Sequence, residues 1–219
     1  MNAILIKNTS RFFQETFGTT AEKIVLSPGR INIIGEHIDY NDGYVLLAAI
    51  DKIMCFAFEK NNSNQSRIIA IDLNDEFEIN LADPIELTDN MWTNYLRGVL
   101  KQLKLKGFKV EGFNCVFSST IPVGSGLSSS AALECGFLFG LNELFNLNIK
   151  PVDIALMGQS AEHWVGINCG IMDQFSSVMG LENKVIKIDC RTLEYEYHNA
   201  DFNDYSLILF DSNVKHTLM

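Results

Sequence analysis

The chain has 219 residues, of which 47% are hydrophobic and 11% aromatic, so it has enough apolar side chains for a sizeable core and is not of the disordered class. Its 17 basic and 27 acidic residues give a formal net charge of -10. That balance argues against a nucleic-acid surface and against an anionic membrane, because both attract clustered lysine and arginine.

Neither a membrane span nor a secretory signal is expected. The longest fully apolar run, residues 45–50, is far too short to cross a bilayer, and the first residues lack the basic start and long apolar stretch of a signal peptide. The cysteines are odd in number, widely spaced and without a Cys-x-x-Cys pair, which predicts reduced thiols, mostly in the core, and a cytoplasmic protein. They are Cys55, Cys115, Cys135, Cys169 and Cys190.

The first part of the chain is predicted to form mainly strands. Residues 4–17 have the apolar spacing of a short amphipathic helix. Strands are predicted at residues 23–27, 46–49, 53–59, 67–73 and 76–81. The last two strands flank Asn74 and Asp75, which favour a hairpin turn.

Helices become more frequent in the second part. They are predicted at residues 92–106, 128–145, 151–165 and 173–179. Asn90 is a candidate cap and Gly107 a stop for the first of these helices, and Pro151 suits the first turn of the third. Further strands are predicted at residues 112–118, 184–189, 193–198 and 205–210. Strands that dominate early and helices that interleave later indicate an α+β fold.

The most informative segment is GRINIIGEHIDYNDG, residues 29–43, which follows a predicted strand. Its arginine, histidine, acidic residues and glycines do not suit a core, because buried charges are costly unless they are paired or used. The glycines suggest tight turns and the close approach of another molecule. Glu36, His37 and Asp39 offer acceptors and one adaptable donor for the hydroxyls of a sugar or other polyol. The alternative is a polar surface loop with incidental charges.

A second motif, IPVGSGLSSSAA at residues 121–132, lies between a predicted strand and a long predicted helix. Backbone N–H groups and the helix dipole can cradle a phosphate at such a position, and the hydroxyls of the three consecutive serines, residues 128–130, add ligands for phosphate or metal. The motif is neither a Walker A loop nor a dinucleotide fingerprint, because it lacks the lysine of the first and the third glycine of the second. The alternative is a helix start capped by serine.

A third cluster occupies residues 161–175. Glu162, late in a predicted helix, could face the serine-rich motif and hold Mg²⁺, which prefers carboxylate and hydroxyl oxygens. His163 has no second histidine at ligand spacing, so we expect a structural role for it. Asp173 follows Gly170 and opens a short helix, where its carboxylate would be available to accept a proton. The alternative for Asp173 is an ordinary helix cap.

Together the three segments closely resemble the galactokinase family of the GHMP small-molecule kinase superfamily. Gly-Arg-x-Asn-x-Ile-Gly-Glu-His-x-Asp-Tyr is the galactokinase signature, Gly-x-Gly-Leu-Ser-Ser-Ser-Ala-Ala is the superfamily's ATP loop, and Gly-Ile-Met-Asp-Gln bears the family's catalytic aspartate. The match runs from residue 25 to residue 216. The resemblance implies a GHMP-kinase N-terminal domain, a mixed β-sheet with packed helices.

The resemblance also implies an activity: transfer of phosphate from ATP, with Mg²⁺, to the anomeric hydroxyl of D-galactose, which gives galactose 1-phosphate. It implies that Asp173 accepts the proton of that hydroxyl and that Arg30 lies between the hydroxyl and the γ-phosphate. The residues implied to contact galactose are Glu36, His37, Ile38, Asp39, Gly170 and Asp173. Those implied to bind ATP are Trp92, Gly124, Ser125, Gly126, Leu127, Ser128, Ser129 and Ser130, with Ser130 and Glu162 as the ligands of Mg²⁺.

The chain departs from the family pattern at its end. Family members continue with a tyrosine that closes on the sugar and with a C-terminal domain that carries a third, glycine-rich motif, and the sequence to Met219 has neither. We therefore expect residues 1–180 to form the GHMP-kinase N-terminal domain and residues 181–219 to begin a remainder that is largely missing. On this expectation the 219-residue chain has weak or no turnover by itself.

Two other functions stay open at this point. One is N-acetylgalactosamine kinase, whose motifs overlap, and the other is a galactokinase-like sensor that binds sugar and ATP and signals through a partner protein. The complete serine-rich motif and Asp173 favour catalysis, and mevalonate or homoserine kinase is disfavoured because neither uses the Glu-His-x-Asp motif. We expect galactose and ATP as small-molecule partners, and no nucleic acid, membrane or obligate protein partner.

Overall fold

The computed structural model describes residues 2–122, 124–200 and 207–210. Within these residues the helices are α1 (Asn2–Phe17), α2 (Met91–Leu105), α3 (Ser129–Phe145), α4 (Pro151–Val165) and α5 (Met172–Met179). The strands are β1 (Lys23–Ile34), β2 (Tyr44–Lys60), β3 (Gln65–Ala70), β4 (Asp75–Asn80), β5 (Phe113–Ser119), β6 (Lys184–Asp189) and β7 (Tyr195–Asn199). The predicted combination of a mixed sheet with packed helices is confirmed.

The strands form one sheet in the order β4-β3-β5-β2-β6-β7, with β1 paired to β2. Strand β2 is central, because its end pairs with β5, its beginning pairs with β6, and β1 runs beside it from one end to the other. Strands β3 and β5 are parallel, whereas the other pairs are antiparallel. Since β1 carries the first residues of the 29–43 motif, β2 fixes that motif relative to the rest of the sheet.

The two faces of the sheet bury different helices. Phe56 and Phe58 of β2 are fully buried in the main core, where the Phe58 ring packs against Phe137 of α3. Ala57, between them, packs on the opposite face with Phe13 of α1. Because side chains alternate along a strand, this pattern puts α2, α3 and α4 on one side of the sheet and α1 on the other.

Strand β2 is continuous, and the prediction of two strands at residues 46–49 and 53–59 was wrong. Asp51 and Lys52 interrupt the apolar pattern, but the backbone stays extended from Tyr44 to Lys60. The reason is a change of partner along the strand: residues 44–47 pair with β6 and residues 54–60 pair with β5. Residues between the two ladders need not be apolar, so their side chains do not indicate that the strand continues.

Strand β1 is also longer than the predicted strand at residues 23–27. It continues to Ile34, so Gly29 and Arg30 lie in a strand and not in the turn that the glycines of the motif suggested. The pairing of β1 with β2 is irregular between Pro28 and Arg30 and again between Asn32 and Ile34. Such irregularities bend a strand and redirect its side chains, and they occur often beside functional sites.

Several predicted turns and helix ends are confirmed. The hairpin around Asn74 is present, although residues 71–73 form a 3-10 turn and not the end of a strand. Gly107 follows α2 with a φ of 77°, and Pro151 begins α4. Asn90 stands at the N-cap position of α2, but its side chain makes no capping hydrogen bond and donates to Asp75 Oδ2 at 2.9 Å.

Two predictions concern the C-terminal part of the sequence. The strand predicted at residues 205–210 lies partly outside the described residues, and residues 207–210, which are described, are not in a strand. The domain boundary at residue 180 stays a prediction. Strands β6 and β7 lie beyond that boundary and pair within the same sheet.

The described residues contain no helix that is both long enough and apolar enough to cross a membrane. All five cysteines are free, and three of them, Cys55, Cys115 and Cys135, are buried. The prediction of unpaired thiols that lie mostly in the core is therefore confirmed.

The contact between α3 and the sheet predicts the effect of adding one methyl group. Gly140 lies so close to Phe58 that an added Cβ would overlap the ring, which is fully buried and cannot swing away. Gly140→Ala gains about 1 kcal/mol of helix propensity, but overpacking costs about 1–3 kcal/mol. We expect a lower free energy of unfolding in urea, whereas Glu143→Ala, an exposed change in the same helix, should behave like the wild type. Higher stability of Gly140→Ala would contradict the predicted overlap.

Candidate active site

The three sequence motifs meet at one carboxylate. Asp173 Oδ1 accepts a hydrogen bond from Arg30 Nε at 2.7 Å, and Asp173 Oδ2 accepts one from Ser128 Oγ at 2.6 Å. Arg30 Nη1 also donates to the carbonyl oxygen of Gly126 at 2.6 Å. The side chains of Arg30 and Asp173 are 11% and 28% exposed, so the arginine is shielded while the carboxylate stays accessible to a ligand. A single hydrogen-bond network therefore joins β1, the serine-rich motif and α5.

A glycine lets the serine-rich motif approach the strand that carries Arg30. A Cβ on Gly29 would lie 2.7 Å from the carbonyl oxygen of Leu127, closer than van der Waals contact allows. The neighbouring N–H group, that of Arg30, donates to the same carbonyl oxygen at 3.2 Å. A side chain at residue 29 would push the motif away from Arg30. The group that approaches this glycine closely is therefore part of the same chain, the carbonyl group of Leu127.

Left-handed backbone shapes the serine-rich motif. Gly124, Gly126 and Ser128 have φ angles of 74°, 71° and 59°. Ser128 directly precedes α3, but it is not a simple helix cap, because its side chain makes no capping hydrogen bond and its hydroxyl donates to Asp173. Ser129 begins α3, and the N–H groups of that first turn lie where a helix dipole favours a phosphate.

Asp39 and Gly170 lie against each other, although they belong to different motifs. A Cβ on Gly170 would overlap the carboxylate of Asp39. Asp39 begins a 3-10 turn, whereas Gly170 lies shortly before α5, the helix that carries Asp173. Because Gly170 has no side chain, the Asp39 carboxylate can lie directly beside the segment that precedes α5 and Asp173. Asp173 is not an N-cap, since Ile171 holds that position.

The other residues of the 29–43 motif form an exposed turn after β1. Asn32 Nδ2 donates to Glu36 Oε2 at 2.6 Å, and His37 Nδ1 lies 2.7 Å from the Tyr40 hydroxyl. His37 has a φ of 60°, a left-handed conformation that is uncommon for a residue with a side chain. Ile38 is exposed and precedes the 3-10 turn. The side chains of Glu36 and His37 are thus oriented by neighbours and remain accessible.

Carboxylates crowd around Asp39. Burial raises the pKa of Asp39 above its ordinary value, and the negative charges of Asp173 and Glu36 add to this effect, while backbone hydrogen bonds at Tyr40 and Asp39 oppose it. The ionised form of Asp39 is therefore less favourable in the folded chain than in water. Such perturbed carboxyl groups cluster at functional sites more often than elsewhere.

Glu162, in the last turn of α4, is buried and held by several donors. Its Oε2 accepts hydrogen bonds from Gln174 Nε2 at 2.5 Å and from Cys169 Sγ at 3.1 Å, and Ser130 also donates to its carboxylate. Burial raises the pKa of Glu162, and these three hydrogen bonds act in the opposite direction. The fold thus brings together Ser130 and Glu162, the two residues implied to bind Mg²⁺.

The donor set around Glu162 fits a magnesium ion that also binds phosphate. Among the described residues, no group of three or more His, Cys, Asp or Glu side chains is arranged to hold a metal. Mg²⁺ does not need such a cage, because it keeps several waters and uses one or two carboxylates together with substrate phosphates. His163 Nε2 lies 2.9 Å from the carbonyl oxygen of Cys169, a contact within the connection between α4 and α5.

Trp92, at the start of α2, belongs to an aromatic cluster beside the main core. Its ring packs edge-on against Phe77 and Phe117, with centroid distances of 5.4 and 5.7 Å. Its Nε1 donates to Asp75 Oδ2 at 2.8 Å. These contacts explain why a tryptophan is present here without any ligand. The predicted role of Trp92 beside adenine therefore stays a prediction.

The sequence patterns did not identify two features of the site. One is the Gly126 carbonyl as a partner of Arg30, which no local signal indicates. The other is Glu134, a fully buried glutamate four residues after Ser130. A charged residue within the apolar stretch at residues 131–141 of α3 was a signal for Glu134, since glutamate is rarely buried without a partner.

Two protein-family models match different parts of the chain, and each part contains residues of the site described above. The galactokinase galactose-binding signature matches residues 11–60, which include Arg30 and Asp39. The GHMP kinases N terminal domain matches residues 94–181, which include the serine-rich motif, Glu162 and Asp173.

Curated relatives match nearly the whole chain. The galactokinase of Actinobacillus pleuropneumoniae serotype 3 (strain JL03) is 44% identical over 210 residues, which cover 94% of this chain and 54% of that protein. The galactokinase of Limosilactobacillus reuteri (strain DSM 20016) is 39% identical over 223 residues, which cover 94% of this chain and 55% of that protein. The chain thus spans about half the length of the curated relatives it matches.

Solved structures share the fold. The Lactococcus lactis galactokinase complexed with galactose has a TM-score of 0.83 and 35% identity, and the match covers 91% of this chain and 53% of that one. The mevalonate kinase of Methanococcus jannaschii has a TM-score of 0.69 at 20% identity over 83% and 57% of the two chains, which shows a common fold alone. The chain therefore contains a GHMP kinases N terminal domain at residues 94–181. Within that class, its sequence and structure are those of a galactokinase relative.

The raised pKa of Asp39 predicts how stability changes with pH. A carboxyl group with a raised pKa stabilises the fold in its protonated form. This contribution is fully present below the pKa of the group in the unfolded chain, ordinarily 3.8, and it is lost as the pH rises through the pKa of the group in the folded chain. Asp39→Asn should therefore increase the free energy of unfolding at pH 7, and the gain should shrink as the pH is lowered. Urea unfolding at several pH values measures the difference, with the exposed neighbour Asp42→Asn as a control. A gain that grows toward acidic pH would contradict the assignment.

Proposed function

We propose that the chain supplies the sugar-binding and phosphate-binding residues of a galactokinase, which transfers the γ-phosphate of ATP to the anomeric hydroxyl of D-galactose. The proposal depends on one observation: Asp173 accepts hydrogen bonds from Arg30 at 2.7 Å and from Ser128 at 2.6 Å. A carboxylate base, a cation and a phosphate-binding motif then meet at one point, and phosphoryl transfer needs positioning and charge stabilisation of this kind. Galactokinase relatives at 39% and 44% identity support the same activity.

Asp173 orients the anomeric hydroxyl of the sugar and accepts its proton. Its two oxygens are fixed by Arg30 and Ser128, and its partial exposure leaves room for the hydroxyl. Arg30 offsets the negative charge on the transferring phosphoryl group. The hydrogen bond from Arg30 to the Gly126 carbonyl holds the guanidinium between Asp173 and the serine-rich motif, where that charge would develop.

The serine-rich motif binds the phosphates of ATP. Its left-handed glycines open the backbone, and a Cβ on Gly126 would meet no atom within 4 Å, so a ligand has space there. The dipole at the start of α3 favours phosphate at the same place. The residues assigned to this role are Gly124, Ser125, Gly126, Leu127, Ser128, Ser129 and Ser130, and Trp92 is assigned to adenine by its resemblance to the family.

Ser130 and Glu162 hold the Mg²⁺ of ATP. The ion supplies positive charge to the phosphate oxygens when it is bound. Ser130 contributes a hydroxyl at the start of α3, and Glu162 contributes a carboxylate whose orientation is fixed by Gln174 Nε2 at 2.5 Å. Such neighbours of a metal ligand fix its orientation and raise metal affinity.

Galactose binds to the 29–43 motif and to the residues before α5. The crowded carboxylates of Glu36, Asp39 and Asp173 present acceptors to neighbouring hydroxyls. The likeness to a galactokinase complexed with galactose supports this sugar over N-acetylgalactosamine. The full set of assigned residues is Glu36, His37, Ile38, Asp39, Gly170 and Asp173. The compartment we propose is the cytoplasm, in keeping with five free cysteines.

Replacing the proposed base should remove turnover and spare sugar binding. In a chain completed with the remaining half of a galactokinase relative, Asp173→Asn keeps the side-chain volume but loses the basic carboxylate, so kcat should fall about 10²-fold or more. Galactose affinity, measured by calorimetry, should weaken far less. Asp153→Asn removes the same charge from an exposed position on α4 and serves as the control. Near-normal turnover of Asp173→Asn would remove Asp173 from the mechanism.

The activity itself is best tested in two forms of the protein. One is the 219-residue chain, and the other is a chimera in which the chain is completed with the remaining half of the Actinobacillus pleuropneumoniae galactokinase. We expect the chimera to form galactose 1-phosphate from ATP and galactose, and to be much slower with N-acetylgalactosamine. The 219-residue chain alone should have weak or no turnover, because it spans about half of its relatives. Equal rates for the two forms would contradict this expectation, and a chimera that binds sugar without turnover would favour a sensor.

A further inference from the structure

Among the described residues, a glutamate of helix α3 has a carboxyl group without a hydrogen-bond partner. Glu134 is 0% exposed, and both its Oε1 and its Oε2 lack a hydrogen-bond partner among the described residues. Leaving a buried polar group unsatisfied is costly, and an apolar side chain at this position would avoid that cost. Neither the packing of α3 nor the roles assigned above account for a carboxyl group here.

Glu134 lies beside the two proposed magnesium ligands. Ser130 precedes it by four residues in α3, so both side chains project from the same face of the helix. Helix α4 packs closely there, since a Cβ on Gly158 would lie 2.9 Å from Cys135 Sγ. Glu162 is one turn further along α4. Burial raises the pKa of Glu134 well above its ordinary value, and the charge of Glu162 adds to the effect, as expected for two neighbouring carboxyl groups.

Around Glu134 and Glu162, the buried hydrogen-bond acceptors outnumber the donors. Gln174 Nε2 donates to Glu162, but the buried Gln174 Oε1 has no donor of its own. The two oxygens of Glu134 add two more acceptors in the same condition. A divalent cation interacts with acceptors alone and favours the ionised form of a carboxyl group, so it would satisfy both oxygens of Glu134 at once. The composition of the cluster therefore favours a cation.

We propose that Glu134 is the second carboxylate of a divalent-cation site whose other protein groups are Ser130 and Glu162. The inference rests on the proposed function, because it takes the Mg²⁺ that accompanies ATP as the natural occupant. Two carboxylates and a hydroxyl, completed by phosphate oxygens and water, are an ordinary donor set for Mg²⁺. The cation provides Glu134 with the partner that the protein does not provide.

The inference is tested with Mn²⁺, which prefers the same oxygen ligands as Mg²⁺ and is followed directly by electron paramagnetic resonance. The 219-residue chain is titrated with Mn²⁺ alone and with a non-hydrolysable ATP analogue present. Glu134→Gln should weaken Mn²⁺ affinity about 10- to 100-fold, and Glu162→Gln by at least as much. Glu143→Gln, an exposed change in the same helix, removes the same charge and should bind Mn²⁺ like the wild type.

Melting curves separate a binding role from a structural one. Without metal, Glu134→Gln should melt at or above the wild-type temperature, and added Mn²⁺ should raise its melting temperature less than it raises that of the wild type. Glu134→Met, of similar volume and without polar side-chain oxygens, is a second variant that should lose Mn²⁺ affinity to the same extent.

The possible failures differ. Wild-type Mn²⁺ affinity in both Glu134 variants, together with weakened binding in Glu162→Gln, overturns the role of Glu134 and leaves the proposed function intact. Wild-type affinity in Glu162→Gln as well, or no Mn²⁺ binding by the wild-type chain with the nucleotide analogue, overturns the cation site itself.

Discussion

The ion pair between Arg30 and Asp173 is the interaction on which the arrangement of the site depends. Its partners are 143 residues apart and lie on β1 and on the short helix α5, so they meet only when the sheet and the helices above it are assembled. Gly29 and the Gly126 carbonyl bring the serine-rich motif to the same arginine. Because removing either member would leave a partly buried charge unpaired, this pair couples the geometry of the site to the stability of the fold.

Carboxyl groups accumulate on both sides of that pair. Asp39, Glu36 and Asp173 crowd together on the sugar side, and Glu162 and Glu134 do so between α3 and α4. The folded chain holds these groups against the preference of ionised carboxyls for water and for distance from each other. Sugar hydroxyls and a divalent cation are the ligands that would relieve the two clusters. Crowding of ionised carboxylates lowers stability, and such a cost is common at functional sites.

The fold and the motifs carry different kinds of information. A mevalonate kinase with 20% identity shares the fold at a TM-score of 0.69, so the sheet and helices serve as a scaffold for more than one substrate. The likeness to galactokinases depends on residues 11–60 and on identities of 39% and 44% along the chain. On the proposed function, the turn after β1 and its contact with Gly170 would set the choice of substrate, and the shared scaffold would not.

Local signals along the chain were enough to predict α4 with Pro151 in its first turn, the hairpin at Asn74, and the glycine and serine motifs that indicate phosphate and sugar binding. Contacts between distant segments were needed to reveal that β2 is continuous, that Gly29 makes room for the Leu127 carbonyl, and that Glu134 is buried beside Glu162. The two groups differ in the range of the interactions that set them. Helix periodicity and turn preferences act over a few residues, whereas ladder partners, close backbone approaches and buried charges depend on segments far apart in the chain.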